Sequence, residues 1–379
     1  MKIRELFRHD VTRPIAPVVY FHEKDPEKVA AELKEYIVTG GFPPDHPGAR
    51  RVPQGIHEQY VRLLDAMASE LERRTGPELP ASWISGFYGS GKSSFAKLLG
   101  LALDGLVLPD GRTVSDALLA RDDSPRRGEL VEAWEHLRKR VPDPMAVVFD
   151  IGAEGREGEQ IHSAARRQLQ KRLGYCPRSD LVADAELRLE IDGVWNAFEA
   201  AALKVLGRPW REASREYRAE DHFSHVLHVL DRERYPDPTD WIDSRAGQRT
   251  GAGSSVRETV DAIEAMIEQR AEGKSLFIVV DEVSQYVHRD EGRMLALQSF
   301  VSELGHRMHG RVWLLATGQQ KLEEGGDATT LGKLKDRFPM RLRVHLSSSN
   351  IRDVVHKRLL AKSDTGRAEL RERFGQFRN

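Results

Sequence analysis

The chain has 379 residues, 40% of them hydrophobic and 31% charged, with a formal net charge of −1. That length suits two or three domains of about 100–200 residues, and the charge balance offers no global basic excess of the kind that marks a dedicated nucleic-acid binder. A single cysteine, Cys176, excludes an intramolecular disulfide and any cysteine-built metal centre and fits a reducing compartment.

The N-terminus, MKIRELFRHDVTRP, carries charges where a signal peptide would place its apolar core, and no run approaches 18 apolar residues. The expectation is a cytoplasmic protein. Ile15–Phe21 reads as a strand, and Asp25-Pro26-Glu27 opens a helix whose apolar positions are Val29, Leu33 and Tyr36. Residues 40–55 are rich in proline and glycine and read as a loop or linker. The sequence thus divides into an N-terminal segment with linker (1–55), an α/β domain (56–346), and the beginning of a helical lid (347–379). From Ile56 to about Arg74, Tyr60, Leu63, Leu64, Met67 and Leu71 mark an amphipathic helix.

A short strand then runs into Gly86-x-x-x-x-Gly91-Lys92-Ser93, followed by an apolar-periodic helix (Phe95, Leu98, Leu99, Leu101, Leu103). Strand, glycine-rich turn and helix in this order form the phosphate-loop pattern. Glycines let consecutive N–H groups curl into an anion-binding nest, and the helix N-terminus adds unpaired donors and partial positive charge. Gly86, Gly89, Ser90, Gly91, Lys92, Ser93 and Ser94 are the candidate nucleotide-binding residues. Lys92 would reach the β- and γ-phosphates of ATP, and the Ser93 hydroxyl would ligate Mg²⁺.

Residues 104–144 alternate turn signals with a helix near Arg127–Val141, and Met145–Asp150 reads as a buried strand. Helices Gln160–Arg172, Ala185–Leu206, Arg211–Asp231 and Val256–Arg270 follow, a helical insertion at about 156–270. Strands Leu276–Val280 and Val312–Ala316 flank a helix, Glu291–Arg307. Strands alternating with helices argue an α/β fold, a parallel sheet flanked by helices, which with the phosphate loop is of P-loop NTPase type.

Leu276–Val280 ends in Asp281-Glu282, acids placed where ligands of open α/β sheets bind, beyond the carboxyl ends of strands. Asp281 would hold Mg²⁺ and Glu282 would act as general base toward water. Thr317 and Gln319, at the end of the next strand, are both candidates to sense the γ-phosphate, and the pattern does not separate them. Arg337 lies in a basic stretch, Lys333–Arg343, where it could serve as an arginine finger toward a neighbouring subunit or belong to a solvated basic strand edge or a DNA-facing patch. Ser347-Ser348-Ser349-Asn350 starts a helix, Ile351–Lys362. His222, His225 and His228 share a helix face but lack further metal ligands nearby. Cys176 has no surroundings that would activate a nucleophile. The Arg-rich segments 121–140 and 156–172 alternate with acids and read as solvated helix surfaces.

Leu6-Phe7-x-x-Asp10-Val11-x-Arg13-Pro14-Ile15, Glu32-Leu33-x-Glu35-Tyr36-x-Val38-Thr39 and Ser85–Ser93 resemble the N-terminal region of the large P-loop protein of BREX phage-defence systems, the BrxC/PglY type. Asp281-Glu282, Ala316–Gln320 and Asp336-Arg337-Phe338-Pro339 extend the resemblance over nearly the whole chain. Ser94 departs from it, since many members have histidine there. The family's proteins are much longer, so the resemblance implies a fragment or truncated relative. It further implies an AAA+-like ATPase acting as switch or motor in antiviral defence, with a DNA methyltransferase and other BREX components as partners, a homo-oligomer, and DNA contact made directly or through partners. A non-hydrolysing nucleotide-binding scaffold and a P-loop kinase or phosphotransferase are the alternatives.

Overall fold

A computed structural model describes residues 3–12, 19–245, 255–288, 290–319, 322 and 332–376. Five strands, β1 (Ala81–Gly86), β2 (Pro144–Asp150), β3 (Ser275–Asp281), β4 (Val312–Gly318) and β5 (Arg343–Leu346), form one sheet in the order β2-β3-β4-β1-β5. Every pairing is parallel. β4 therefore lies between the strand leading into the glycine-rich loop and the strand ending in the acids. Because helices cover both faces, the central strands are apolar on both sides, as a parallel sheet requires. Met145, Val147, Leu276, Ile278 and Leu314 face one core, and Ala146, Val148, Phe277, Val279 and Leu315 face the other.

The second core also takes the helices Ile56–Leu71 and Lys92–Leu103 and the N-terminal helix Pro26–Glu35. Asp25 caps that N-terminal helix, its Oδ1 accepting the N–H groups of Glu27 and Lys28 at 3.1 Å each. Val29 and Leu33 are buried beneath it. Glu32 Oε2 meets Lys97 Nζ at 2.6 Å, tying this segment to the helix that follows the glycine-rich loop. Asp25→Ala should cost about 1 kcal/mol of local helix stability. Amide exchange over residues 27–33 is then expected to accelerate about fivefold. Unchanged exchange there would mean that packing, not the cap, holds the helix.

Several elements differ from the sequence expectation. The basic stretch runs into β5, an edge strand that the sequence pattern does not delimit, whose Val344 and Leu346 are buried while Arg343 and His345 stay partly exposed. The helix expected over Ala185–Leu206 is two, Asp180–Ile191 and Trp195–Leu206, because the chain closes at Gly193 with Val194 N–H bonding Leu189 O at 2.8 Å. Arg211–Asp231 likewise divides into Trp210–Ala213 and Ala219–Leu230. Residues 19–21 are not a strand, and the rest of the Ile15–Phe21 expectation, 15–18, lies outside the described residues. The final expected helix starts earlier, as Ser348–Val355, and runs on as a π-helical turn, His356–Leu360. Ser347 does not cap it; its hydroxyl pairs with that of Ser349 at 2.6 Å.

The C-terminal helices pack back on the N-terminal segment. The buried Thr39 hydroxyl donates to Asn350 Oδ1, Arg358 Nε meets Glu35 Oε2 at 2.8 Å, and Arg8 N–H reaches Ala361 O at 2.7 Å. Among the described residues, no helix is long and apolar enough to cross a membrane.

Candidate functional site at the carboxyl ends of the strands

β1 is buried along its length and delivers Gly86 to the loop. Phe87 and Tyr88 point outward, 59% and 84% exposed, while Ser90 N–H turns back to Phe87 O at 3.0 Å. Gly89 and Gly91 adopt φ of +78° and +88°, with open space where a Cβ would stand. Glycine is needed there for backbone conformation rather than for room. Gly91 begins the helix Lys92–Leu103, so Lys92, Ser93 and Ser94 form its first turn, where N–H groups have no intrahelical partner. Ser90 Oγ is buried without a hydrogen-bond partner among the described residues.

The acids arrive on β3. Asp281 ends the strand, paired in register with Asp150 of β2, and is only 4% exposed. Burial raises its carboxyl above the ordinary value of 3.8; hydrogen bonds from the Thr317 and Ser93 hydroxyls act in the opposite direction, Glu282 adds to the rise and Lys92 counters it. Glu282 follows in the left-handed region, φ 58° and ψ 27°, a conformation a non-glycine residue holds only where its surroundings enforce it. Its Oε1 lies 3.4 Å from Lys92 Nζ, and its Oε2 is buried without a hydrogen-bond partner among the described residues. The Lys92–Glu282 pair spans 190 positions of sequence and is closed by the fold alone.

β4 supplies the third side. Thr317, fully buried, donates its hydroxyl to Asp281 Oδ1 and accepts Glu282 N–H at 3.0 Å. Gln319 is exposed beyond the strand end, and its N–H bonds Ser284 Oγ at 3.1 Å. Ser284 was not expected from the sequence; a serine two residues past the acids carries no pattern of its own. Gln320 lies outside the described residues. Arg337 closes a short 3₁₀ helix, Gly332–Arg337, with its Nε buried and without a hydrogen-bond partner among the described residues. Its side chain forms no hydrogen bond or ion pair with Lys92, Ser93, Asp281, Glu282 or Thr317. Those five are the group the fold brings together.

The donor set suits Mg²⁺, which prefers hard oxygen ligands and is commonly held by one or two carboxylates plus substrate phosphates. A buried carboxylate disfavoured by desolvation and a serine hydroxyl already in hydrogen-bond reach of it offer such ligands. Among the described residues, this site included, there is no cluster of three or more His, Cys, Asp or Glu that could hold a metal by itself. His222 pairs with Glu216 at 3.1 Å and His228 donates to Tyr235 O at 2.8 Å. Cys176 is buried, its thiol pushed up to about 11 by desolvation. The arginines of 156–172 are engaged within the chain: Arg156 with Asp180 at 2.6 Å, Arg167 with Glu159 at 2.7 Å, Arg172 with Asp104 at 3.1 Å. The site has to be read from its own residues, because no family model and no solved structure matches the chain.

Proposed function

We propose that this protein is a Mg²⁺-dependent ATPase of P-loop, AAA+-like type. The observation that carries the reading is the convergence of Lys92, Ser93, Asp281, Glu282 and Thr317 at the carboxyl ends of three adjacent strands, beside a loop with two left-handed glycines. A phosphate chain laid along the loop would meet the N–H groups of residues 89–93, and Lys92 would leave Glu282 for the terminal phosphates. Ser93 and Asp281 would hold Mg²⁺, which when bound neutralises charge on the phosphate oxygens. Glu282, released from Lys92, would then accept a proton from the attacking water. Hydrolysis is favoured over transfer to an acceptor because a carboxylate free to serve as base directly follows the metal-binding acid. The resemblance to BREX proteins supplies the setting of this proposal: a cytoplasmic switch or motor in an anti-phage complex, homo-oligomeric, with a DNA methyltransferase among its partners and Arg337 offered to a neighbouring subunit.

Titration calorimetry with Mg-ATP and a phosphate-release assay test the reading. The wild-type chain is expected to bind ATP and release phosphate without any acceptor. Lys92→Ala should weaken binding about ten- to a hundredfold, the worth of one lost charge-assisted hydrogen bond. A wild-type chain that binds no ATP at millimolar concentration overturns the proposal.

A further inference from the structure

Thr317 and Gln319 occupy the position where a γ-phosphate contact was expected, yet their surroundings differ. The β3–β4 ladder ends at Val280 and Ala316. One residue further, the Thr317 hydroxyl takes over from the backbone: its oxygen accepts Glu282 N–H and its proton goes to Asp281 Oδ1. A hydroxyl has one proton to give, so Thr317 cannot donate to a phosphate while it holds Asp281. Nor is it free to turn. It is fully buried, and turning it would break both of its hydrogen bonds at once. The bond it makes to Glu282 N–H falls at the residue whose backbone is in the left-handed region. Gln319 N–H to Ser284 Oγ fastens the same two segments a second time.

We propose that Thr317 is the positioning residue for both acids, fixing the Asp281 carboxylate and the turn of Glu282, and that the phosphate contact expected at the end of β4 falls to Gln319, which is exposed there. The proposal rests on the ATPase reading above. It predicts that removing the hydroxyl disturbs metal affinity and turnover but not the grip on phosphates, which belongs to the loop and Lys92.

The test compares Thr317→Val, which keeps the shape and loses the hydroxyl, with Thr317→Ser, which keeps the hydroxyl. Three quantities are measured: ATP affinity in EDTA, Mn²⁺ affinity of the nucleotide-bound protein by electron paramagnetic resonance, and the kcat for phosphate release. Thr317→Val is expected to bind ATP in EDTA within about twofold of wild type, to bind Mn²⁺ more weakly, and to lose about ten- to a hundredfold in kcat, the scale of a hydrogen bond to a charged group. Thr317→Ser should recover kcat to within about threefold, because the same hydrogen bonds are restored. If Thr317→Val instead weakens ATP binding in EDTA tenfold with Mn²⁺ affinity and kcat unchanged, Thr317 touches phosphate and the proposal is wrong. Should Thr317→Val fail to fold, Thr317→Ser decides by itself: a tenfold or larger loss of kcat in a folded protein overturns the assignment. A wild-type chain without ATP binding would instead sink the ATPase reading, a result distinct from equal activity of wild type and Thr317→Val, which sinks only this proposal.

Discussion

Replacing Glu282 with glutamine is expected to slow phosphate release by about 10²–10⁴-fold, the usual contribution of a positioned general base, while ATP binds several times more tightly. Both halves follow from one ion pair. In the free protein Lys92 Nζ lies 3.4 Å from Glu282 Oε1, with the lysine side chain 6% exposed. ATP must displace that carboxylate before Lys92 can reach phosphate, so the pair competes with substrate. Glutamine keeps the shape and removes the competing charge, leaving Lys92 free and the attacking water without a base. The left-handed turn at Glu282 should survive, since it depends on the N–H bond to Thr317 Oγ1, which the substitution does not touch. The measurement is a pair: single-turnover phosphate release, and nucleotide dissociation in Mg²⁺. Full turnover in Glu282→Gln would remove Glu282 from the chemistry and favour a different water-orienting group or a non-hydrolysing role.

The loop and its acids could be read before the fold because each depends on local rules. Gly86–Ser93 needs only its own glycines and the strand and helix on either side. Asp281-Glu282 needs only an apolar run ahead of it. What those rules could not provide is the relation between them. The Lys92–Glu282 pair and the approach of Ser93 to Asp281 join residues separated by a helical insertion, and contacts of that span leave no periodic trace. Thr317 and Gln319 show the limit most clearly. On a strand, positions two apart share a face, so alternation gives both the same reading. They part only because β4 stops at Gly318, leaving Thr317 inside the sheet and Gln319 outside it. The edge strand β5 was obscured for a different reason. It has four residues, of which Arg343 and His345 turn away from the core, and a strand that short leaves too little alternation to fix its bounds.

The helical insertion hides a titrating group of its own. Raising the pH from 5 to 8 is expected to lower the stability of this region by on the order of 3 kcal/mol through Glu186. Glu186 is 1% exposed in a cluster built around Trp210, Phe198 and Phe223. Burial raises its carboxyl to about 7 from 4.5, against hydrogen bonds from Trp210 Nε1–H at 2.6 Å and Cys176 N–H at 2.9 Å that favour the charged form. The nearby cation does not neutralise it: Arg270 is drawn off by Glu190 at 2.6 Å and lies over the Tyr175 ring. The sign follows. Between about 4.5 and 7 the folded chain keeps a proton that the unfolded chain has released, so stability falls as pH rises across that window and levels off above it. Glu186→Gln cannot titrate. Its amide turns one NH₂ toward a donor, either Trp210 Nε1–H or Cys176 N–H, so the variant loses a hydrogen bond at every pH, worth about 1 kcal/mol. Against wild type it should therefore be the less stable protein at pH 5 and the equal or more stable one at pH 8. Denaturant unfolding followed by tryptophan fluorescence includes this region in its signal, since Trp195, Trp210 and Trp241, three of the six tryptophans, lie within it. The other carboxylates contribute equally to both curves, so the difference between wild type and variant isolates the one site. Curves that stay parallel from pH 5 to 8 would mean that Glu186 is ionised throughout and that Trp210 and Cys176 suffice to hold its charge in the core.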